Sequence, residues 1–178
     1  MRKWDKGIDY DRTYRLFVKK LEEYRGKLHK VRGRRKFVMT AILLTQLANG
    51  SRVGEAYEAM EKFAVTRKRE VLVRVRKHKN NDMRIMIIPK EIRISDATII
   101  RAVLPEVSLV SVKVFCIREF GFNTHSLRYA FVSHLNAKGV SPQVIAKITK
   151  HTNLRYIITY TQEKQAYEIL KAIALGKF

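Results

Sequence analysis

Apolar residues recur early in the chain at Tyr10, Tyr14, Phe17, Val18, Leu21, Tyr24 and Leu28. Steps of three and four put them on one helical face, so the pattern predicts an amphipathic helix from Tyr10 to Leu28. His29 to Lys36 is strongly basic and carries Gly33, which predicts a solvated loop able to lie on phosphate. Phe37 to Ala48 is apolar almost without interruption and reads as a core helix stopped by Asn49 and Gly50.

The period then changes. Val71 to Arg76 alternates apolar with basic, Arg84 to Pro89 is again β-prone, and His78 to Asp82 between them is polar and turn-like. This predicts a β-hairpin with a tip rich in Lys and Asn. Ser95 and Asp96 are cap candidates for a helix reaching about Leu104, which Pro105 ends. From Val107 to Phe120 β-branched residues bring strand and helix close together, and helix is the reading taken. His125 to Lys138 is a helix closed by Gly139, and Ser141 with Pro142 forms the N-cap and first position of a short helix to Ile148. A turn at Lys150 to Asn153 precedes helices over Leu154 to Thr161 and Glu163 to Leu175, the last with Ala166, Ile169, Leu170, Ile173 and Ala174 on one face. There is no internal repeat and no linker. The fold class expected is α+β, mainly α: one domain over residues 1–178, with an N-terminal helix and basic loop (1–36), a core (37–178) and a small antiparallel sheet.

Composition narrows the partners. A chain of 178 residues, 46% apolar and with 8 Gly and 3 Pro, has enough material for one core and is not a disordered sequence. Lys and Arg number 37 against 16 Asp and Glu, a net charge of +21 spread along the whole chain. Such a charge predicts a polyanionic partner, nucleic acid first, because neutralising phosphates supplies most sequence-independent affinity. No stretch approaches the ~20 apolar residues of a spanning helix, and no apolar signal region follows Met1, so an intracellular protein without a membrane partner is expected. Cys116 is the sole cysteine and reads as a small buried side chain. The five histidines lack a compact ligand spacing, so no structural metal is expected, and with no P-loop motif either, no cofactor is expected.

Three separated segments carry the chemistry: Ser51-Arg52-Val53-Gly54-Glu55 after the core helix, His125-Ser126-Leu127-Arg128 opening another helix, and His151 followed nine residues later by Tyr160. Attack on a phosphodiester passes through a pentavalent phosphorane with extra negative charge on its non-bridging oxygens. Fixed guanidinium forks suit those oxygens, and Arg52 and Arg128, each placed by a different helix, are the candidates. Among 37 basic residues either arginine alone would read as a surface group, and Arg52 with Glu55 as a local ion pair. His125, three residues before Arg128, reaches the same side of its helix. A phenol with a pKa of about 10 is a weak nucleophile at neutral pH and needs a cationic site and a proton acceptor beside it.

In order and spacing these segments resemble the tyrosine recombinases of the phage-integrase family, over roughly Phe37 to Leu175. The resemblance implies the helical catalytic domain of that family, acting on double-stranded DNA. It implies Tyr160 as the nucleophile forming a 3′-phosphotyrosyl link, Arg52 and Arg128 on the phosphate, His125 in proton transfer and His151 on a phosphate oxygen. Tyr156, one turn before Tyr160, is the rival nucleophile. The family's leaving-group acid is a hairpin lysine, which Lys79 matches better than Lys77. Lys150 stands where the family has glycine and Tyr129 where it has a second histidine, departures that point to integrases of archaeal viruses or plasmids. The resemblance further implies a tetramer on DNA exchanging a C-terminal helix, here Glu163 to Phe178. Only residues 1–36 stand where the family has an N-terminal clamp domain, so this chain is expected to hold DNA weakly unaided. A type IB topoisomerase and a non-catalytic DNA-binding protein that keeps the fold are the alternatives.

Overall fold

The computed structural model describes residues 7–75, 82–151 and 170–175. It comprises helices α1 (Tyr10–Arg25), α2 (Val31–Asn49) and α3 (Val53–Thr66), strands β1 (Glu70–Arg74) and β2 (Met83–Ile87), then α4 (Asp96–Val103), a 3₁₀ turn (Leu104–Glu106), α5 (Leu109–Phe120), α6 (Thr124–Ala137) and α7 (Pro142–Thr149). The fold is mainly helical with one small antiparallel sheet, as the sequence pattern predicts. The chain divides into two compact units, Met1–Phe131 and Val132–Phe178.

Helix α2 is the axis of the first unit. Phe37, Val38, Ala41, Ile42, Leu43, Leu44 and Leu47 are fully buried, with Thr40 and Thr45 among them, as expected of a helix that is apolar on every side. Helix α1 packs its predicted face, Phe17, Leu21 and Tyr24, into the same core and starts where Asp9 accepts the Arg12 amide at 2.7 Å. Residues 53–66, unassigned from the sequence, form α3 and bury Val53, Ala56, Ala59, Met60, Phe63 and Ala64. Three alanines on that face dilute the hydrophobic signal.

The basic segment His29 to Lys36 corrects the sequence expectation of a loop: from Val31 onward it is the opening of α2. Gly33 allows this, because a Cβ there would lie 2.1 Å from the Lys27 carbonyl oxygen. The arginines stay exposed, as expected, but find partners, Arg34 Nε donating to Leu28 O at 2.6 Å and Arg35 pairing with Glu106 at 2.9 Å. Ser108 accepts the Ser111 amide at 3.1 Å, and with that cap Val107 to Phe120 resolves to a helix, as read.

In the hairpin, Val71 pairs with Met86, Leu72 with Ile85 and Val73 with Arg84. Its inner face is Val71, Val73, Arg84 and Met86, while Leu72, Ile85 and Ile87 face outward. Strand β2 therefore inverts the usual alternation: the arginine points in and the isoleucines out. A slip of one residue would reverse this.

In the second unit Val132, Ile145 and Ala146 form a small cluster with Leu135 and Val140. Residues 170–174 are helical, with Leu170 and Ile173 exposed. Among the described residues no helix is long and apolar enough to cross a membrane. Cys116 is buried, as expected, and burial pushes its thiol up to about 12.

Candidate active site

The site is organised by the turn between α2 and α3. Gly50 ends α2 with φ of 55°, in the left-handed region, and a Cβ there would fall 2.2 Å from the Phe131 ring. Two buried side chains fix this turn. Gln46 Nε2 donates to Ser51 O at 3.3 Å and to Thr124 O at 2.7 Å, so one amide ties the segment carrying Arg52 to the start of α6, where His125 lies. The Asn49 amide donates to Ile87 O at 2.8 Å and its Oδ1 accepts the Ile87 amide at 2.9 Å. Asn49 thus behaves as an extra strand residue beside β2 and locks the hairpin to the end of α2.

Arg52 is the N-cap of α3, with its side chain 24% accessible, while Glu55 is fully buried. The Glu55 carboxylate faces two arginines and an amide. Its Oε1 accepts Arg52 Nη1 at 3.2 Å, and its Oε2 accepts the Arg52 amide at 3.2 Å and Arg84 Nη1 at 3.3 Å. The local Arg52–Glu55 ion pair weighed from the sequence is present, but it is one edge of a larger cluster.

Arg128, on α6, is 6% exposed and donates from Nη1 to Gly50 O at 2.8 Å. Arg84 donates from Nη2 to Asn49 O at 2.7 Å. Two successive carbonyls at the C-terminus of α2, its negative end, are thereby capped by arginines from β2 and α6, while the last turn of α2 has no basic residue of its own. Burial first, then the like charge of Arg52, pushes Arg128 down to about 10; Glu55 opposes this and Arg84 adds to it. Arg128 keeps its proton at neutral pH, with Glu55 as the carboxylate that acts on it.

The structure therefore brings Arg52 and Arg128 to one turn, as the spacing suggested. His125 lies on the exposed side of α6, one turn before the buried Arg128. His151 belongs to the second unit. Lys150 before it takes φ of 53°, the left-handed geometry for which glycine is the easier residue. The Thr149 hydroxyl donates its one hydrogen to Ile145 O at 2.7 Å and lies 2.6 Å from His151 Nδ1. With the hydroxyl hydrogen directed at Ile145 O, this short contact favours a hydrogen on Nδ1. Lys79, Lys77, Tyr160 and Tyr156 lie outside the described residues. Sequence reasoning missed Gln46, Asn49, Gly50 as a contact residue, and Arg84. The one usable signal was Arg84 itself, a charge inside a β-prone run.

Comparison with known sequences finds relatives of this chain, two of which are named as putative integrases. The chain belongs to the family of "Uncharacterized protein MJ0770" of Methanocaldococcus jannaschii, with 36% identity over 197 aligned residues, 96% of this chain and 88% of that one. It is 44% identical over 137 residues to "Putative integrase ORF241" of Acidianus two-tailed virus, covering 75% of this chain and 55% of the viral one. It is 29% identical over 155 residues to "Putative integrase V10" of Sputnik virophage, covering 72% and 68%. No family model and no solved structure matches the chain.

Proposed function

We propose that the chain is the catalytic part of a site-specific tyrosine recombinase, which cuts and rejoins double-stranded DNA through a 3′-phosphotyrosyl intermediate with Tyr160 as nucleophile. The observation that carries this reading is the arginine cluster. Arg52, Arg84 and Arg128 stand against one carboxylate, Glu55, leaving two positive charges in excess at a turn where Arg52 is still accessible. A phosphodiester carries one negative charge, and attack by a phenolate makes the phosphorane dianionic. Positive charge fixed in advance at a poorly solvated site favours that transition state over the ground state.

In the proposed reaction Tyr160 gives its proton to His125 as its oxygen bonds to phosphorus. The bond to the 5′ oxygen breaks, and Lys79 protonates that oxygen. Arg52 and Arg128 hold the non-bridging oxygens, and His151, protonated so that Nε2 also carries a hydrogen, donates to one of them. A 5′ hydroxyl from another strand reverses each transfer, and the phosphotyrosine conserves the bond energy between steps. Exchange of strands between two duplexes calls for four copies, with the segment from Glu163 to Phe178 as the exchanged element. The names of the viral relatives support an integrase role.

The test is incubation with a nicked suicide duplex followed by denaturing electrophoresis. A covalent protein–DNA band that disappears in Tyr160→Phe and persists in Tyr156→Phe is expected. An adduct that survives Tyr160→Phe would overturn the assignment.

A further inference from the structure

Arg84 is a buried charge in a strand that buries Met86 beside it but leaves its two isoleucines facing solvent. At 5% exposure it occupies the inward position opposite Val73, while Ile85 and Ile87 stand 57% and 51% exposed on the outer face. Hydrophobic burial alone favours the opposite arrangement. Burial pushes the Arg84 guanidinium down, and its Nε has no hydrogen-bond partner among the described residues. A charge kept at such cost, with a one-residue slip available to relieve it, points to a role outside stability.

Its two bonds show what that role is. Nη1 lies 3.3 Å from Glu55 Oε2, and Nη2 lies 2.7 Å from Asn49 O. The Arg52 side chain meets Glu55 at Oε1 by a bond from Nη1, while Oε2 takes the Arg52 amide together with Arg84. Without Arg84, Oε2 would lose its guanidinium donor, and the preferred side-by-side Arg–carboxylate pairing would draw the Arg52 fork further onto Glu55 and away from a ligand. Asn49 O, held by Arg84, adjoins Gly50 O, held by Arg128. Arg84 is therefore one residue from the anchor of the second arginine as well.

We propose that Arg84 is a positioning residue for the scissile phosphate: it occupies Glu55 and Asn49 O so that the forks of Arg52 and Arg128 stay aimed at the non-bridging oxygens. This rests on the tyrosine-recombinase reading above, but it is read by two measurements that separate the two.

The first is single-turnover adduct formation by the full chain on a suicide duplex with either a normal phosphate or a neutral methylphosphonate at the scissile position. Removal of partners that orient ligand-binding side chains typically costs roughly 10- to 100-fold, and Arg84→Met is expected to lose rate in that range on the phosphate. It should lose less than about threefold on the methylphosphonate, where the charge that the forks must meet is gone. Equal losses on both substrates would make Arg84 merely structural and overturn the proposal. The second measurement is stabilisation against heating by sodium orthovanadate. Arg84→Met and Arg52→Ala are each expected to raise the apparent dissociation constant about tenfold or more, and an unchanged constant in Arg84→Met overturns the proposal. If the wild-type chain forms no adduct while vanadate binding still depends on Arg84, the recombinase reading fails and the positioning role stands. Should Arg84→Met not fold, Arg84→Lys keeps the charge with one prong; an intermediate loss in both assays supports the proposal and wild-type behaviour contradicts it.

Discussion

Replacing Arg128 with methionine separates stability from chemistry. Arg128 is 6% exposed, and burial together with Arg52 holds its pKa down at about 10, well below the ordinary arginine value. At about 1.4 kcal/mol per pKa unit, the charged side chain costs on the order of 3 kcal/mol at neutral pH. Methionine removes that cost and roughly fills the volume. It also leaves Gly50 O without the Nη1 donor, a loss of about 1–3 kcal/mol. The balance lies between no change and a gain of about 2 kcal/mol, equivalent to a rise of up to roughly 8 °C in Tm for a chain of this size. A base whose pKa is lowered by folding has its penalty in full below the folded value, and the penalty fades as pH rises towards the unfolded value. Any advantage of Arg128→Met therefore shrinks as pH rises above about 10. Urea unfolding at pH 7 and 10.5, beside the suicide-duplex assay, measures both sides. The expected variant is at least as stable as wild type and forms no adduct at a measurable rate. A loss of more than about 2 kcal/mol at pH 7 would refute the view that the site holds uncompensated positive charge.

Three other substitutions probe the supports. Gly50→Ala meets both a left-handed backbone and the Phe131 ring at 2.2 Å, and should cost about 2–5 kcal/mol in urea unfolding; a cost below 1 kcal/mol would mean the turn relaxes freely. Lys150→Gly relieves φ of 53° and should raise stability by up to about 1 kcal/mol, read as Tm. Thr149→Val removes the acceptor from His151 Nδ1 and should lower the adduct rate about 10-fold with duplex affinity unchanged; a fall in affinity with the rate intact would contradict a role in orienting the ring.

Much of the fold was legible because its signals are local. The three- and four-residue spacing of α1, the apolar run of α2 and the Ser141-Pro142 start of α7 depend on neighbours in sequence, and each element formed close to where it was read. The failures have tertiary causes. The basic residues from Lys30 to Lys36 look solvated until Gly33 lets α2 begin against Lys27, and until Arg35 finds Glu106, distant in sequence. Helix α3 went unassigned because its core face is largely alanine. In the site, Arg52 and Arg128 were found through chemistry and spacing. The residues that hold them, Gln46, Asn49 and Arg84, act through backbone carbonyls, which leave no pattern in sequence. Arg84 was hidden further by sitting where alternation predicts an apolar residue.

The most direct measurement of the central claim is mass-spectrometric mapping of the protein–DNA adduct after nuclease and protease digestion. The account predicts one peptide carrying a 3′-nucleotide phosphate on Tyr160, absent when Arg52 or Arg128 is replaced by alanine. A modification on Tyr156, on a serine, or on no residue despite strand cleavage would contradict it.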